Sequence, residues 1–132
     1  GFKLIRECIK ENILVSPLPG GTALIPAITA SGLPTDKFTF YGFLPKSEKK
    51  KKDLFNIAID KNTTAIFYES PHRIIKTCEV LKNNFPSVNI SIARELTKKF
   101  EEFIRGSPAV VLEKIPEKPK GEFVLVVSGK EK

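Results

Sequence analysis

Residues 63–81 read Thr63-Thr64-Ala65-Ile66-Phe67-Tyr68-Glu69-Ser70-Pro71-His72-Arg73-Ile74-Ile75-Lys76-Thr77-Cys78-Glu79-Val80-Leu81, and their reading decides the fold. Thr63 to Tyr68 is an apolar, β-branched and aromatic run, the pattern of a buried strand. The spacing then changes. Ile74, Ile75, Cys78 and Leu81 recur at helical intervals, with Ser70 placed as N-cap and Pro71 at the first helical position, where a missing N–H costs nothing. Val88 to Ala93 follows as a second apolar strand, which completes a strand–helix–strand unit.

Working outward, Phe100 to Ile104 reads as a short strand, Pro108 to Ile115 as a helix, and Pro116 to Lys120 as a polar connector. Phe123 to Val127 is continuously apolar, as a central strand should be. Upstream, Lys37 to Leu44 alternates Phe38, Phe40 and Gly42 against Thr39, Tyr41 and Phe43 and predicts an aromatic-rich strand, and the lysine run at 49–52 leads a helix carrying Leu54, Ile57 and Ala58. Phe2, Ile5 and Ile9 fall at helical spacing before Ile13-Leu14-Val15, a short buried-strand pattern. Pro17, Pro19, Gly20 and Gly21 form a loop, after which Thr22 is placed to cap a helix running through Leu24, Ala27 and Ile28 to a stop at Ser31-Gly32. Strands alternating with helices predict an α/β layered domain: a mixed, largely parallel sheet flanked by helices, with residues 1–132 as a single domain. No repeat or long linker interrupts it.

The 22 Lys+Arg against 15 Asp+Glu give a formal charge of +7, which favours a polyanionic partner and makes RNA a natural one. Cys8 and Cys78 sit among apolar residues with no CxxC or Cys/His cluster, so neither a zinc site nor a disulfide framework is indicated, and a reduced, cytoplasmic protein is the simplest expectation. No stretch approaches the roughly 20 apolar residues of a membrane helix. The absence of methionine reads as a C-terminal piece of a longer protein.

Chemistry-bearing residues cluster after the apolar strands, where open α/β sheets place their sites. Glu69, Ser70, His72 and Arg73 form one group; Arg94, Glu95, Thr97 and Lys98 form another, followed by Glu101 and Glu102. Each has a plain structural role as well, since acids and serines favour helix starts and strand ends collect ion pairs. Lys46 and Lys49, Lys50, Lys51 and Lys52 suit phosphate tracking or a solvated loop. Phe38 and Phe40 are expected in the core, while Tyr41 and Phe43 are open between core and base stacking. The Pro19-Gly20-Gly21-Thr22 turn lacks both the GK[ST] ending of a P-loop and the GxGxxG spacing of a dinucleotide fold.

Six blocks taken together go further: Ser16-Pro17-Leu18-Pro19-Gly20-Gly21-Thr22-Ala23, Ser31-Gly32-Leu33-Pro34, Tyr41-Gly42-Phe43-Leu44-Pro45, Phe67-Tyr68-Glu69-Ser70-Pro71-His72-Arg73, Ala93-Arg94-Glu95-Leu96-Thr97-Lys98 and Lys120-Gly121-Glu122. In that order, over nearly the whole chain, they resemble the bacterial ribosomal RNA small subunit methyltransferase I family of the tetrapyrrole methylase superfamily. The resemblance implies the C-terminal half of a two-domain methyltransferase, with S-adenosylmethionine in a cleft shared with an N-terminal domain. It implies a cofactor wall of Pro19, Gly20, Thr22, Ala23, Tyr68, Arg94, Glu95, Gly121 and Glu122, and RNA contacts from Lys46, Lys49 to Lys52, His72, Arg73 and Lys98. The implied reaction is 2'-O-methylation of a cytidine ribose in small-subunit (16S) ribosomal RNA, within the 30S subunit, by a homodimer. Glu69 and Glu95 are the candidate bases, and no metal is needed. Two other functions stay open, a precorrin-type tetrapyrrole methylase and a non-catalytic RNA-binding or assembly module, which would have no reason to hold the cofactor. The isolated chain is expected to fold without methylating.

Overall fold

The computed structural model describes residues 2–61 and 63–129. Five strands, β1 (Phe38–Phe43), β2 (Thr64–Glu69), β3 (Asn89–Arg94), β4 (Glu102–Gly106) and β5 (Phe123–Ser128), form one sheet in the order β1-β2-β5-β3-β4. The continuous apolar run does become the central strand: every residue of β5 is buried. The sheet is mixed, but the expected balance toward parallel pairing is corrected. Only β1 and β2 pair in parallel, whereas β5 runs antiparallel to both β2 and β3, and β4 antiparallel to β3. A continuous apolar run reports burial on both faces and carries no information about direction.

Helices α3 (Glu48–Asp60), α4 (Ile74–Asn84) and α5 (Pro108–Lys114) supply the apolar residues of the main core, with Phe55, Ile74, Cys78, Leu81 and Val111 meeting Ala65, Phe67, Ile90, Ile92, Leu125 and Val127 of the sheet. Phe67 is fully buried there, stacked on Tyr41 at 5.2 Å and edge-on to Phe55 at 5.4 Å. The alternate strand residues, Ile66, Ala93, Val124 and Val126, face the other way against Ala27 and Ile28 of the short α2 (Leu24–Thr29). Strand alternation thus assigns each residue of β2, β3 and β5 to one layer or the other.

α2 packs chiefly over β2 and β5, and β1 lies at the edge of the sheet. Phe38 and Phe40, expected in the core, are accordingly 40% and 41% exposed. Phe40 and Phe43 instead meet Tyr68 edge-on, at 4.8 and 5.4 Å.

Three local expectations also change. Ile13-Leu14-Val15 forms no strand and enters none of the sheet's pairings, and Leu14 is 91% exposed. The preceding helix α1 (Phe2–Lys10) is strongly amphipathic and buries none of its residues. Thr22 does not cap α2, since Ala23 is already helical (φ −69, ψ −27) and makes no side-chain cap. Ser70 does not cap α4 through its side chain either. Residues 70–73 form a separate turn, in which Arg73 N and Ile74 N donate to Ser70 O at 3.0 and 3.1 Å, and the helix starts one turn later.

Candidate functional site

β1, β2 and β3 run in the same direction, so their last residues, Phe43, Glu69 and Arg94, reach one end of the sheet. β5 starts at that end, Phe123 pairing with both Glu69 and Arg94. A cavity of about 380 Å³ opens there, lined among others by Ala23, Phe43, Tyr68, Ser70, Gly121 and Glu122. Ala23, Tyr68, Gly121 and Glu122 are four of the residues that the family resemblance implies at the cofactor, drawn from three separate segments. Pro19, Gly20 and Thr22 lie on the exposed stretch that enters Ala23. A larger cavity, of about 710 Å³, lies at the opposite end between the Ser31–Asp36 loop and Asn89 and Arg105, and none of the expected site residues lines it.

The wall beside Gly121 is a charged clasp. Glu95 Oε1 accepts from Glu122 N at 3.0 Å and from Lys98 Nζ at 3.3 Å, while Lys98 Nζ also donates to Glu122 Oε2 at 3.3 Å. The backbone closes the same contact, Glu95 N donating to Glu122 O at 3.1 Å. Gly121 has φ +97, and a Cβ built there collides with the Glu95 carboxylate, so the close approach requires glycine twice over. Glu95 and Thr97 themselves sit at positive φ, 51° and 64°. For a β-branched threonine this is a true outlier, and such outliers concentrate at functional sites. Glu101 stabilises the turn by accepting from Thr97 N at 2.9 Å.

The Glu122 backbone N–H, and then Lys98, hold the Glu95 carboxyl below the usual carboxylate range, while Glu122 and Glu95 push the Lys98 ammonium above its ordinary value. Glu95 is therefore a weak proton acceptor and Lys98 stays charged at neutral pH. Being depressed, Glu95 contributes stability that is present above its ordinary pKa and lost as pH falls through the lower folded value; Lys98, being raised, contributes below its ordinary pKa and loses it as pH rises through the higher folded value. A carboxyl NMR titration should find Glu95 titrating below the usual carboxylate range. Lys98→Ala should raise that value only in part, since the backbone donor remains; a complete return to normal would assign the effect to Lys98 alone.

Arg94 does not line the described cavity. Its Nε donates to Lys120 O at 2.8 Å and its Nη1 to Glu102 Oε2 at 3.1 Å, which ties the connector before Gly121 to the start of β4. Its place is behind the wall.

Glu69 and Lys51 require correction. By strand alternation the Glu69 side chain follows Ala65 and Phe67 into the helical layer, where it is fully buried. Oε1 accepts from Ser70 N at 2.8 Å and Arg73 Nη2 at 2.9 Å; Oε2 accepts from Thr77 Oγ1 at 2.8 Å, with Lys51 Nζ at 3.4 Å. Glu69 is among the residues lining the strand-end cavity, but its carboxylate is wholly enclosed and both oxygens are taken up by donors, which leaves neither free to accept the proton of a substrate hydroxyl, so Glu69 is withdrawn as a base. Lys51 is only 4% exposed and leaves the phosphate-tracking group, because its Nζ is taken up by Thr77 and Glu69. Lys46, Lys49 and Lys50 are exposed, and Lys52 pairs with Glu48 at 2.9 Å. The sequence did carry a signal for Lys51, which shares its buried helix face with Phe55 and Ala58, four and seven residues on. His72 is exposed, Arg73 partly so.

Cys78 is free and buried, its thiol pushed up to about 12 by burial and then by the Glu69 charge, which makes it an inert core residue. Among the described residues no group of His, Cys, Asp and Glu could hold a metal ion, and no helix is long and apolar enough to cross a membrane.

Residues 1–110 match the model of the tetrapyrrole (corrin/porphyrin) methylases. The chain is 47% identical over 131 residues to a ribosomal RNA small subunit methyltransferase I from Hydrogenobaculum sp., covering 97% of this chain and 56% of that protein. It is 42% identical over 130 residues to the protein of that name from Halalkalibacterium halodurans, covering 98% and 45%. The chain thus spans about half the length of these relatives. Among solved structures, a diphthine synthase superimposes with a TM-score of 0.70 at 10% identity, over 96% of this chain and 53% of that one. A uroporphyrin-III C-methyltransferase from Thermus thermophilus, complexed with S-adenosylhomocysteine, superimposes at 0.53 with 16% identity, over 96% and 58%.

Proposed function

We propose, because the chain belongs to the tetrapyrrole methylase family and matches its ribosomal RNA small subunit methyltransferase I relatives over nearly its full length, that it is the C-terminal half of an S-adenosylmethionine-dependent enzyme that methylates the 2'-hydroxyl of a cytidine in small-subunit ribosomal RNA. The observation that carries the reading is the cavity at the strand ends. Its volume of about 380 Å³ lies in the range of small-molecule sites. Phe43 and Tyr68 offer it an apolar wall of ring faces, which suits a cation with an apolar body. The solved relative with S-adenosylhomocysteine supports the same cofactor.

When bound, S-adenosylmethionine supplies an activated methyl on a sulfonium. The described residues then have three tasks. Tyr68 and Phe43 orient the cofactor, and Gly121 lets the wall approach it closely. The clasp of Glu95, Lys98 and Glu122 holds that wall in place, backed by Arg94. Exposed Lys46, Lys49, Lys50, His72, Arg73 and the outer side of Lys98 track RNA phosphates, which raises affinity without reading sequence. None of Glu69, Glu95 and Lys98 is free to take the hydroxyl proton, which leaves the exposed His72 of this chain and the remainder of the full-length protein as sources of the base. The bare apolar face of α1 and the exposed Ile13, Leu14 and Leu18 are the surfaces on which that remainder would rest. The same reading makes the enzyme a cytoplasmic homodimer.

The test is methyl transfer from labelled S-adenosylmethionine by the full-length protein to small ribosomal subunits lacking the modification, with the modified nucleotide mapped. Label should appear on one cytidine ribose, and Tyr68→Ala should raise the cofactor KM about tenfold. Cofactor binding without transfer to RNA would favour a tetrapyrrole substrate. Absence of cofactor binding would favour an RNA-binding module without catalysis.

A further inference from the structure

Glu69 lies in a cluster that the reaction does not use. Lys51 Nζ donates to Thr77 Oγ1 at 2.6 Å, Thr77 Oγ1 donates to Glu69 Oε2 at 2.8 Å, and the Lys51 and Glu69 side chains are 5% and 0% exposed. The other Glu69 oxygen holds Arg73 Nη2 at 2.9 Å, while Arg73 Nε donates to Ser70 Oγ at 3.3 Å. One buried carboxylate thus faces two cations. The excess positive charge emerges at Arg73, whose side chain is 26% exposed. Two anchored N–H groups fix the plane of the partly exposed guanidinium, and the exposed His72 and Lys76 lie one residue before it and three after it in the chain. A guanidinium already fixed in orientation loses little freedom on gripping a phosphate in a bidentate manner.

We propose that the buried Lys51, Glu69 and Thr77 network is a positioning device that presents the Arg73 guanidinium to an RNA phosphate beside the cofactor cavity. Glu69 acts through Arg73 and touches no substrate. Lys51 and Thr77 hold the second carboxylate oxygen, so that Glu69 cannot rotate away from Arg73. The proposal rests on the RNA-methylating reading above, and its test separates the two.

Binding of small-subunit ribosomal RNA to the full-length protein is measured against salt concentration, with cofactor affinity measured in parallel as the check that each variant folds. Arg73→Ala should weaken RNA binding about tenfold and reduce the salt slope by about one. Glu69→Gln leaves Lys51 without its counter-charge and is expected to unfold readily, so the decisive variant is Lys51→Met/Glu69→Gln, which removes both buried charges together. It should lose RNA affinity about as much as Arg73→Ala, and adding Arg73→Ala to it should cost nothing more. Arg73→Lys should restore the salt slope but not the affinity, because an ammonium lacks the bidentate fork. Additive losses in the triple variant would overturn the positioning role while leaving the RNA contact intact. Unchanged affinity and slope in Arg73→Ala would remove the RNA contact at Arg73, and the proposal with it.

Discussion

Glu69→Ala is expected to lower the free energy of unfolding by about 3–5 kcal/mol, one of the largest effects available to a single substitution in this chain. The size follows from what is left behind. Lys51 Nζ would stay in the helical layer with only the Thr77 hydroxyl for company, since its carboxylate partner sits at 3.4 Å and both side chains are almost wholly buried. An ammonium stripped of its counter-charge in such a place must drag water in or lose its proton, and both cost stability. Ser70 N and Thr77 Oγ1 would also lose their acceptor. Lys51→Met/Glu69→Gln should recover most of the loss, because replacing a buried ion pair with groups of similar volume is close to neutral. Denaturant unfolding of the three proteins measures this. A loss under about 1 kcal/mol for Glu69→Ala would mean that Lys51 finds solvent, contrary to its burial.

Gly121→Ala should act on both stability and function. At φ +97 an L side chain is strained by about 1–3 kcal/mol whatever the space around it. Here the space is also taken, by a Glu95 carboxylate that Glu122 N and Lys98 Nζ hold in place. Relief would require Glu95 to leave its backbone donor and the 94–98 turn to open, and Gly121 and Glu122 line the cavity directly. We therefore expect cofactor affinity to fall by about tenfold or more, beyond the loss of stability. Adding Glu95→Ala should restore part of the affinity by removing the collision, while the backbone strain remains. If Gly121→Ala alone binds cofactor normally, the cavity at the strand ends is not the cofactor site.

The two substitutions also mark where sequence reading stops. The strands at Thr64–Glu69 and Asn89–Arg94, the central run at Phe123–Ser128 and the site blocks that follow the first two were legible, because apolar continuity and turn chemistry are local properties. The lysine run reads by composition as one kind of lysine, and only its helical phase against Phe55 and Ala58 separates two. Four side chains of the run from Lys49 to Lys52 have one identity but different helical phases, and only Lys51 turns inward. Phe38 and Phe40 went astray for a different reason. Their alternation predicts a strand correctly, but whether a strand face is covered depends on what packs over it, and α2 packs chiefly over β2 and β5.

By itself, then, the sequence determined the type and order of most elements, the burial of the central strand, and the grouping of charged residues at strand ends, since each of these follows from periodicity or composition within a short window. Only the tertiary structure decided the antiparallel course of β5, the enclosure of Glu69 by Lys51, Thr77 and Arg73, and the closure of Glu95 over Gly121. The physical reason is common to all three. Hydrophobic pattern specifies that a residue is buried, whereas the direction of a strand and the partner of a charge are set by contacts between segments far apart in the chain, which no local pattern encodes.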